Sequence, residues 1–373
     1  MSRSKPEAAD PFPLALLATH AGELSTGPLQ ALPEVIVQLG GNPARIFAAA
    51  EVDLDRYLAG GAQSLDYAAV ARLLSAAVQQ TRCDHFGLLL GRRFRLEDLG
   101  PVGHLMRFAA TAQNALQDLV TSAQLHDRGA TPLLLPFSGQ FNLLGYVVHR
   151  HDLAHPSPVL DAAVMIGFQI LRELLGPRWT PARVQLAYRQ PADTTPYSRA
   201  FCCPVQFDAP ISGLVINSQQ LDRKQSSSSP RLHGLLRRAI ADTTASLPIS
   251  EQVKRLLYAL ILEGQACTEQ VAMRLALHER TLRRRLDSEG TSLQQLIAES
   301  RRDLAFQLLR HTRLPVFAIA QALQYRDPNA FSRAFRSWSG SSPLGWRAAI
   351  AMQGDEGLHR ADEANPLVEV ELG

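Results

Sequence analysis

Cysteine is scarce: four residues in 373, at Cys83, Cys202, Cys203 and Cys267. None stands at a metal-ligand spacing, and the adjacent Cys202–Cys203 pair is a poor framework for disulfides, so a reducing cytoplasm fits. Long apolar runs are missing too. The longest, 162–171, is about half of what a bilayer demands and reads as a buried helix, which argues against a membrane partner. A secretion signal is not expected, because Pro11, Pro13 and His20 interrupt the short apolar patch near the N-terminus. Neither a glycine-rich phosphate loop, a nucleophile elbow nor a zincin motif occurs, so no cofactor and no catalytic residues are expected. His149, His151 and His155 lie near Asp152 and Tyr146, but strand-end and pre-proline positions read better as a solvent-facing loop than as a metal site. Charge of one sign is also small overall, at +3.

What is present is one pattern stated twice. Residues 268–290 superimpose on 316–340 at an offset of 48 for Ala272 on Ala320, Leu275 on Leu323 and Leu277 on Tyr325, and at 49 for Leu282 on Phe331, Arg284 on Arg333 and Leu286 on Phe335. One residue has been added at the turn. The closing glycines, Gly290 and Gly340, stand where a helix ends in the left-handed conformation that glycine adopts cheaply. A repeat of this length is a supersecondary unit, and each copy reads as helix, tight turn, second helix. In the first, Val271, Leu275 and Leu277 make the apolar stripe, His278 takes the cap position, and Leu282 and Leu286 continue the stripe. In the second, Asp327 is a good N-cap and Pro328 a good first helical residue. Phe331, Phe335 and Trp338 then face inward, at a spacing that favours core packing over a stacking platform for single strands.

Arg280, Arg283 and Arg284 remain outward on the first of these helices, and Asn329, Ser332, Arg333 and Arg336 on the second. Arginine forks guanine, asparagine forks adenine and serine serves either base, so these are candidate DNA-binding residues. On an arbitrary helix an arginine triplet is only a solvated face; inside a duplicated unit it points to double-stranded DNA. Charge placement agrees: residues 245–350 hold 15 Lys and Arg against 9 Asp and Glu, whereas 351–373 hold 1 against 6. The basic excess sits on the repeat, as phosphate neutralisation requires.

The second unit resembles the signature of the AraC/XylS transcription regulators. Its matching residues are Ile319-Ala320, the Gln324-Tyr325 turn, Phe331, Ser332, Arg333 and Phe335, Gly340, and Pro343 followed by Trp346-Arg347. It departs at Gln324, usually glycine in that family, at Asn329, usually serine, and at Trp346, usually tyrosine. The resemblance implies an all-α C-terminal domain with two helix-turn-helix units joined by a long helix. Leu293, Leu296, Ile297, Leu304 and Leu308 mark that helix, about 17 residues and roughly 25 Å long. Two recognition helices so spaced can enter successive major-groove turns, about 34 Å apart, on one DNA face.

Upstream, the chain reads as an α+β domain. Helices are expected over 33–41, 66–80, 100–125 as one long amphipathic element, and 158–175; strands are expected over 131–137, 141–149 and 183–190. Stretches 84–91, 99–106, 114–119 and 176–191, with Tyr197 and 204–207, resemble the N-terminal domain of an AraC-type subgroup that includes the ornithine-utilisation regulator. The resemblance implies a small-molecule effector and homodimerisation. Candidate effector-binding residues are His104 and Arg107 on the long helix, Tyr146, and Arg189 at a strand end.

The domain organisation expected is a loose N-terminus over 1–28, an α+β sensor over 29–221, a flexible serine-rich linker over 222–231, a DNA-binding domain over 232–350 opening with helices at 233–245 and after Ser250, and an acidic tail over 351–373. A cytoplasmic transcription regulator that is not an enzyme is therefore expected; the resemblance implies that it is ligand-responsive and dimeric, with activation through RNA polymerase the commoner family outcome. Two alternatives remain: an enzyme with an appended DNA-binding module, although the Cys₄ cluster and Pro-Cys-His-Arg site of alkylation-response proteins are absent, or an interaction protein whose second module is degraded at Gln324.

Overall fold

A computed structural model of the chain describes residues 22–59, 64–137, 139–149, 153, 155–244 and 248–350. His151, Asp152, the acidic tail and most of the expected loose N-terminus lie outside the described residues. The N-terminal half begins with β1 (Glu23–Ser25), followed by α1 (Leu32–Gln38), α2 (Pro43–Ala49) and α3 (Leu54–Leu58). Next, β2 (Ser64–Asp66) pairs antiparallel with β1 and leads directly into α4 (Tyr67–Thr81), which Asp66 caps by accepting from Ala68 N at 2.8 Å. α5 (Phe86–Gly91) is followed by α6 (Pro101–Arg107) and α7 (Ala112–Ser122).

The long helix expected over 100–125 is therefore two. Thr111 leaves helical space, and its hydroxyl caps α7 by accepting from Asn114 N. Segment 222–231, expected to be a flexible linker, supplies the other reason for the break. Gln225 Nε2 donates to the carbonyls of Met106 and Thr111, Ser227 Oγ to Arg107 O at 2.7 Å, and Ser229 N to Phe108 O at 3.1 Å. The serine-rich stretch thus satisfies carbonyls at the end of α6, which a continuing helix would have bonded itself. The helix after it, α11 (Pro230–Thr244), packs Leu236 and Ile240 into the N-terminal core and pairs His233 with Asp118 at 2.6 Å.

β3 (Ala130–Phe137) and β4 (Phe141–Val148) form the expected hairpin, and α8 (Ser157–Leu175) the expected helix. The strand expected over 183–190 is shorter, β5 (Arg183–Gln185). After it come α9 (Thr195–Phe201), β6 (Val205–Gln206), β7 (Ser212–Asn217) and α10 (Ser218–Leu221). These strands make one five-stranded sheet, ordered β3-β4-β7-β5-β6 and antiparallel except between β5 and β6.

Alternate residues of this sheet serve different cores, as a period of two requires. Leu144, Val184, Leu214 and Ile216 join the N-terminal core, which includes α8. Leu133, Leu135, Leu143, Val147 and Val215 point the other way and pack with Val253 and Leu257 of the C-terminal half. Both faces are buried, which is why β4 reads as almost continuously apolar.

The C-terminal half is all helical: α12 (Ile249–Leu262), α13 (Thr268–Arg274), α14 (Glu279–Ser288), α15 (Leu293–His311), α16 (Val316–Ala322) and α17 (Pro328–Ser339). Ser250, expected to cap the helix that follows it, lies inside α12; the carboxylate of Glu289 instead accepts from Ile249 N at 2.7 Å and Ser250 N at 3.0 Å. α12 lies against the sheet. Arg128 Nε donates to Glu251 at 2.7 Å, Arg255 donates to Asp127 O at 2.9 Å, and the His149 ring stacks on Tyr258 with centroids 5.0 Å apart. His149 also bonds Thr131 Oγ1, so it belongs to this interface rather than to a solvent-facing loop.

Candidate nucleic-acid interface and effector cavity

The two copies of the repeat close the same turn with the same bonds. Leu277 N donates to Ala272 O at 2.9 Å, and Tyr325 N to Ala320 O at 2.9 Å. Between these bonds Ala276 takes φ +52° and Gln324 φ +58°. Both are left-handed positions that glycine fills at less cost, so Gln324 reproduces the geometry of the usual glycine under some strain. The residue added in the second copy falls between this turn and the next helix. His278 caps α14, its ring accepting from Arg280 N at 3.3 Å, and Asp327 caps α17, accepting from Ala330 N at 2.8 Å. Gly290 and Gly340 end the copies at φ +72° and +75°.

Apolar residues fix both helices. Leu282 and Leu286 of α14, and Phe331 and Phe335 of α17, are buried. Phe335 contacts Phe306 of α15 at 5.0 Å and Trp346 at 5.6 Å between ring centroids. Arg347 completes the lock, donating to Leu309 O at 3.1 Å and Leu314 O at 2.7 Å. The signature residues Trp346 and Arg347 thus hold the second unit to α15. That helix runs 19 residues, roughly 28 Å at helical rise.

With those residues inward, Arg280, Arg283 and Arg284 are exposed on α14, as are Asn329, Arg333 and Arg336 on α17, while Ser332 is half-buried. None of the five arginine side chains has a hydrogen bond or ion pair with a described residue, whereas Arg274 pairs with Glu263 and Lys254 reaches Glu299 and Asp303. Unpaired guanidinium groups on the outer face of a capped helix suit phosphates and guanine edges.

A second site lies inside the N-terminal half. A cavity of about 90 Å³ is walled by Leu24, Leu29, Val70, Leu74, Leu144, Ile166 and Leu214 among others, with Tyr67, His126, Asp127 and Tyr146 among its lining. Tyr146 donates to Asp127 Oδ2, and Tyr67 Oη lies 2.9 Å from Tyr146 Oη. Asp127 Oδ1 accepts from Gly129 N at 3.0 Å and Ala130 N at 2.8 Å. Burial pushes the Asp127 carboxyl up to about 6 against those bonds, and holds His126 down to about 4 with help from the nearby Arg255 charge.

Of the candidate effector residues, the structure brings only Tyr146 to this cavity. His104 and Arg107 stand on α6 outside it, with Arg107 paired to Glu97 at 3.2 Å and near Glu173 at 3.9 Å, and Arg189 is exposed beside His155 and Tyr188 in a surface cleft. None of these three lines the cavity, and the Arg107 charge is met by the two acids. Tyr67, His126 and Asp127 were missed because they come together from a helix start and a loop, with no shared spacing in sequence.

The fold therefore defines a DNA-binding regulator: a double helix-turn-helix module docked on a domain that encloses a small-molecule cavity. Residues 40–225 match the model of the arabinose-binding domain of AraC transcription regulators, and 271–349 match a helix-turn-helix domain model. The HTH-type transcriptional regulator VirS of Mycobacterium tuberculosis is 27% identical over 293 residues, 78% of this chain and 86% of that protein. The ornithine utilization regulator of Pseudomonas aeruginosa is 30% identical over 268 residues, 70% of this chain and 78% of that protein. The crystal structure of CdpR from Pseudomonas aeruginosa aligns with a TM-score of 0.40 and 23% identity, over 82% of this chain and 96% of that one. The chain belongs to the AraC family of transcription regulators.

Proposed function

We propose that each monomer reads two successive major grooves, with Arg280, Arg283 and Arg284 in one and Asn329, Ser332 and Arg333 in the next, while Arg336 and its neighbours hold phosphates. The protein acts as a homodimer in the cytoplasm and as a binding protein rather than an enzyme. Its effector shifts the population of arrangements in which both modules meet their half-sites, and the output is activation through contact with RNA polymerase.

The observation carrying this reading is the repetition of one turn at Ala276 and Gln324, each leading into a capped helix with unpaired outward arginines. That repetition also weighs against a degraded second module. Substituting alanine for Arg284 and for Arg333, singly, tests it by titration on the operator at fixed salt. Each change is expected to cost about 1 to 3 kcal/mol and to relax sequence preference at its own half of the site. Loss at Arg284 alone would support the degraded-repeat alternative.

A further inference from the structure

The cavity between the sheet and α8 is apolar everywhere except at one end. Of the side chains lining it, only Tyr67, His126, Asp127 and Tyr146 carry a polar atom. Tyr146 gives its proton to Asp127, so the Tyr67 hydroxyl donates to Tyr146 and keeps its own lone pairs to accept with. His126 adds an independent sign of a missing partner: it is only 8% exposed, and its Nδ1 is buried without a hydrogen bond. A buried polar atom left unpaired on the wall of a cavity calls for an explanation, and convergent polar groups at one end of an apolar cavity are the usual form of a ligand site.

We infer that this cavity binds a small, mainly apolar molecule carrying a single hydrogen-bond-donating head, a hydroxyl or an amine, seated on Tyr67, Asp127 and His126. The inference rests on the small-molecule sensor reading and narrows it. A polyhydroxylated sugar is a poor fit despite the matching domain's name, because hydroxyls out of reach of the polar end would face leucine, valine or isoleucine and be left unpaired. A carboxylate head would meet Asp127 as a like charge in a low-dielectric site. Size sets a further limit: about 90 Å³ is less than the ~150 Å³ that admits benzene, so the apolar body is about four or five carbons.

Butan-1-ol, butan-1-amine and butanoate share one apolar body and differ only in the head. Their affinities for the full-length protein can be compared by saturation-transfer NMR and thermal shift. The alcohol or the amine is expected to bind at least tenfold more tightly than butanoate. Preference for the amine would identify ionised Asp127 as the partner, and preference for the alcohol the neutral Tyr67 and His126 groups. Two variants, Tyr146→Phe at the polar end and Ala163→Leu filling the cavity from α8, should each lower that affinity at least tenfold while keeping the far-UV circular dichroism of the parent. Equal or tighter binding of butanoate, no binding of any of the three, or binding unchanged by Ala163→Leu would overturn the inference. Operator binding by the same preparations separates the two levels: DNA protection without probe binding sinks only the ligand class, whereas probe binding without DNA protection sinks only the regulator reading.

Discussion

His149 shows how single side chains tie the two halves together. Its ring lies nearly parallel to Tyr258 of α12, at an interplanar angle of 8°, and burial, with Arg255 and Lys254 nearby, holds it down to about 3. His311, where α15 ends, is likewise held down to about 3, first by burial. A histidine whose folded value lies below its unfolded value of about 6.5 leaves the unfolded chain with more protons, so its contribution is full above about pH 6.5 and is lost as pH falls. Asp161 works in the opposite sense. Burial raises it to about 7 against bonds from Tyr188 and Tyr197, so its contribution is present below its unfolded value of about 3.9 and is lost as pH rises towards 7. Urea unfolding at pH 7.5 and pH 5 should therefore show His149→Phe reducing the acid-side loss by up to about 1.4 kcal/mol per pH unit, and Asp161→Asn enlarging it. Identical pH slopes in parent and variants would contradict these assignments. None of this was visible in the sequence, where His149 looked like a loop residue; its partners come from a strand and a helix more than a hundred residues apart.

Among elements, α5 and α8 pack closely because two glycines line their contact. A Cβ at Gly87 would stand 2.1 Å from Pro158 O, and one at Gly91 2.6 Å from Ala162 O. Neither clash can be relieved by a side chain, since the atoms met are backbone. Gly91→Ala is thus expected to destabilise by about 1 to 3 kcal/mol through overpacking, despite alanine's better helix propensity. A calorimetric melting temperature equal to or above the parent's would show that the helices can separate at little cost. The start of α17 was legible because that end carries chemistry, Asp327 as cap and Pro328 as first helical residue, whereas α4 and α8 were legible from apolar spacing. The break between α6 and α7 was not legible, because Phe108-Ala109-Ala110 continues a helical pattern and what ends it is a strap from residues 225–229. The cap of α12 was hidden for the same reason, being supplied by Glu289 from another helix.

At the scale of the whole molecule, one sheet separates two functions. Its one face helps enclose the cavity and the other receives α12, and residues 126–128 touch both sides: His126 and Asp127 line the cavity, while Asp127 O accepts from Arg255 and Arg128 grips Glu251. A ligand held in the cavity, as inferred above, has a short physical route to the first helix of the DNA-binding half. The double helix-turn-helix was legible because it is local and repeated; the cavity was not, because it exists only once a helix, a loop and a hairpin meet. Whether both repeat units read DNA is decided by a footprint of the purified full-length protein at fixed salt on the promoter region beside its own gene. Two protected major-groove segments per monomer are expected, about one helical turn or 10 base pairs apart. Protection of a single segment, or salt-sensitive binding with no discrete protection, would contradict that reading.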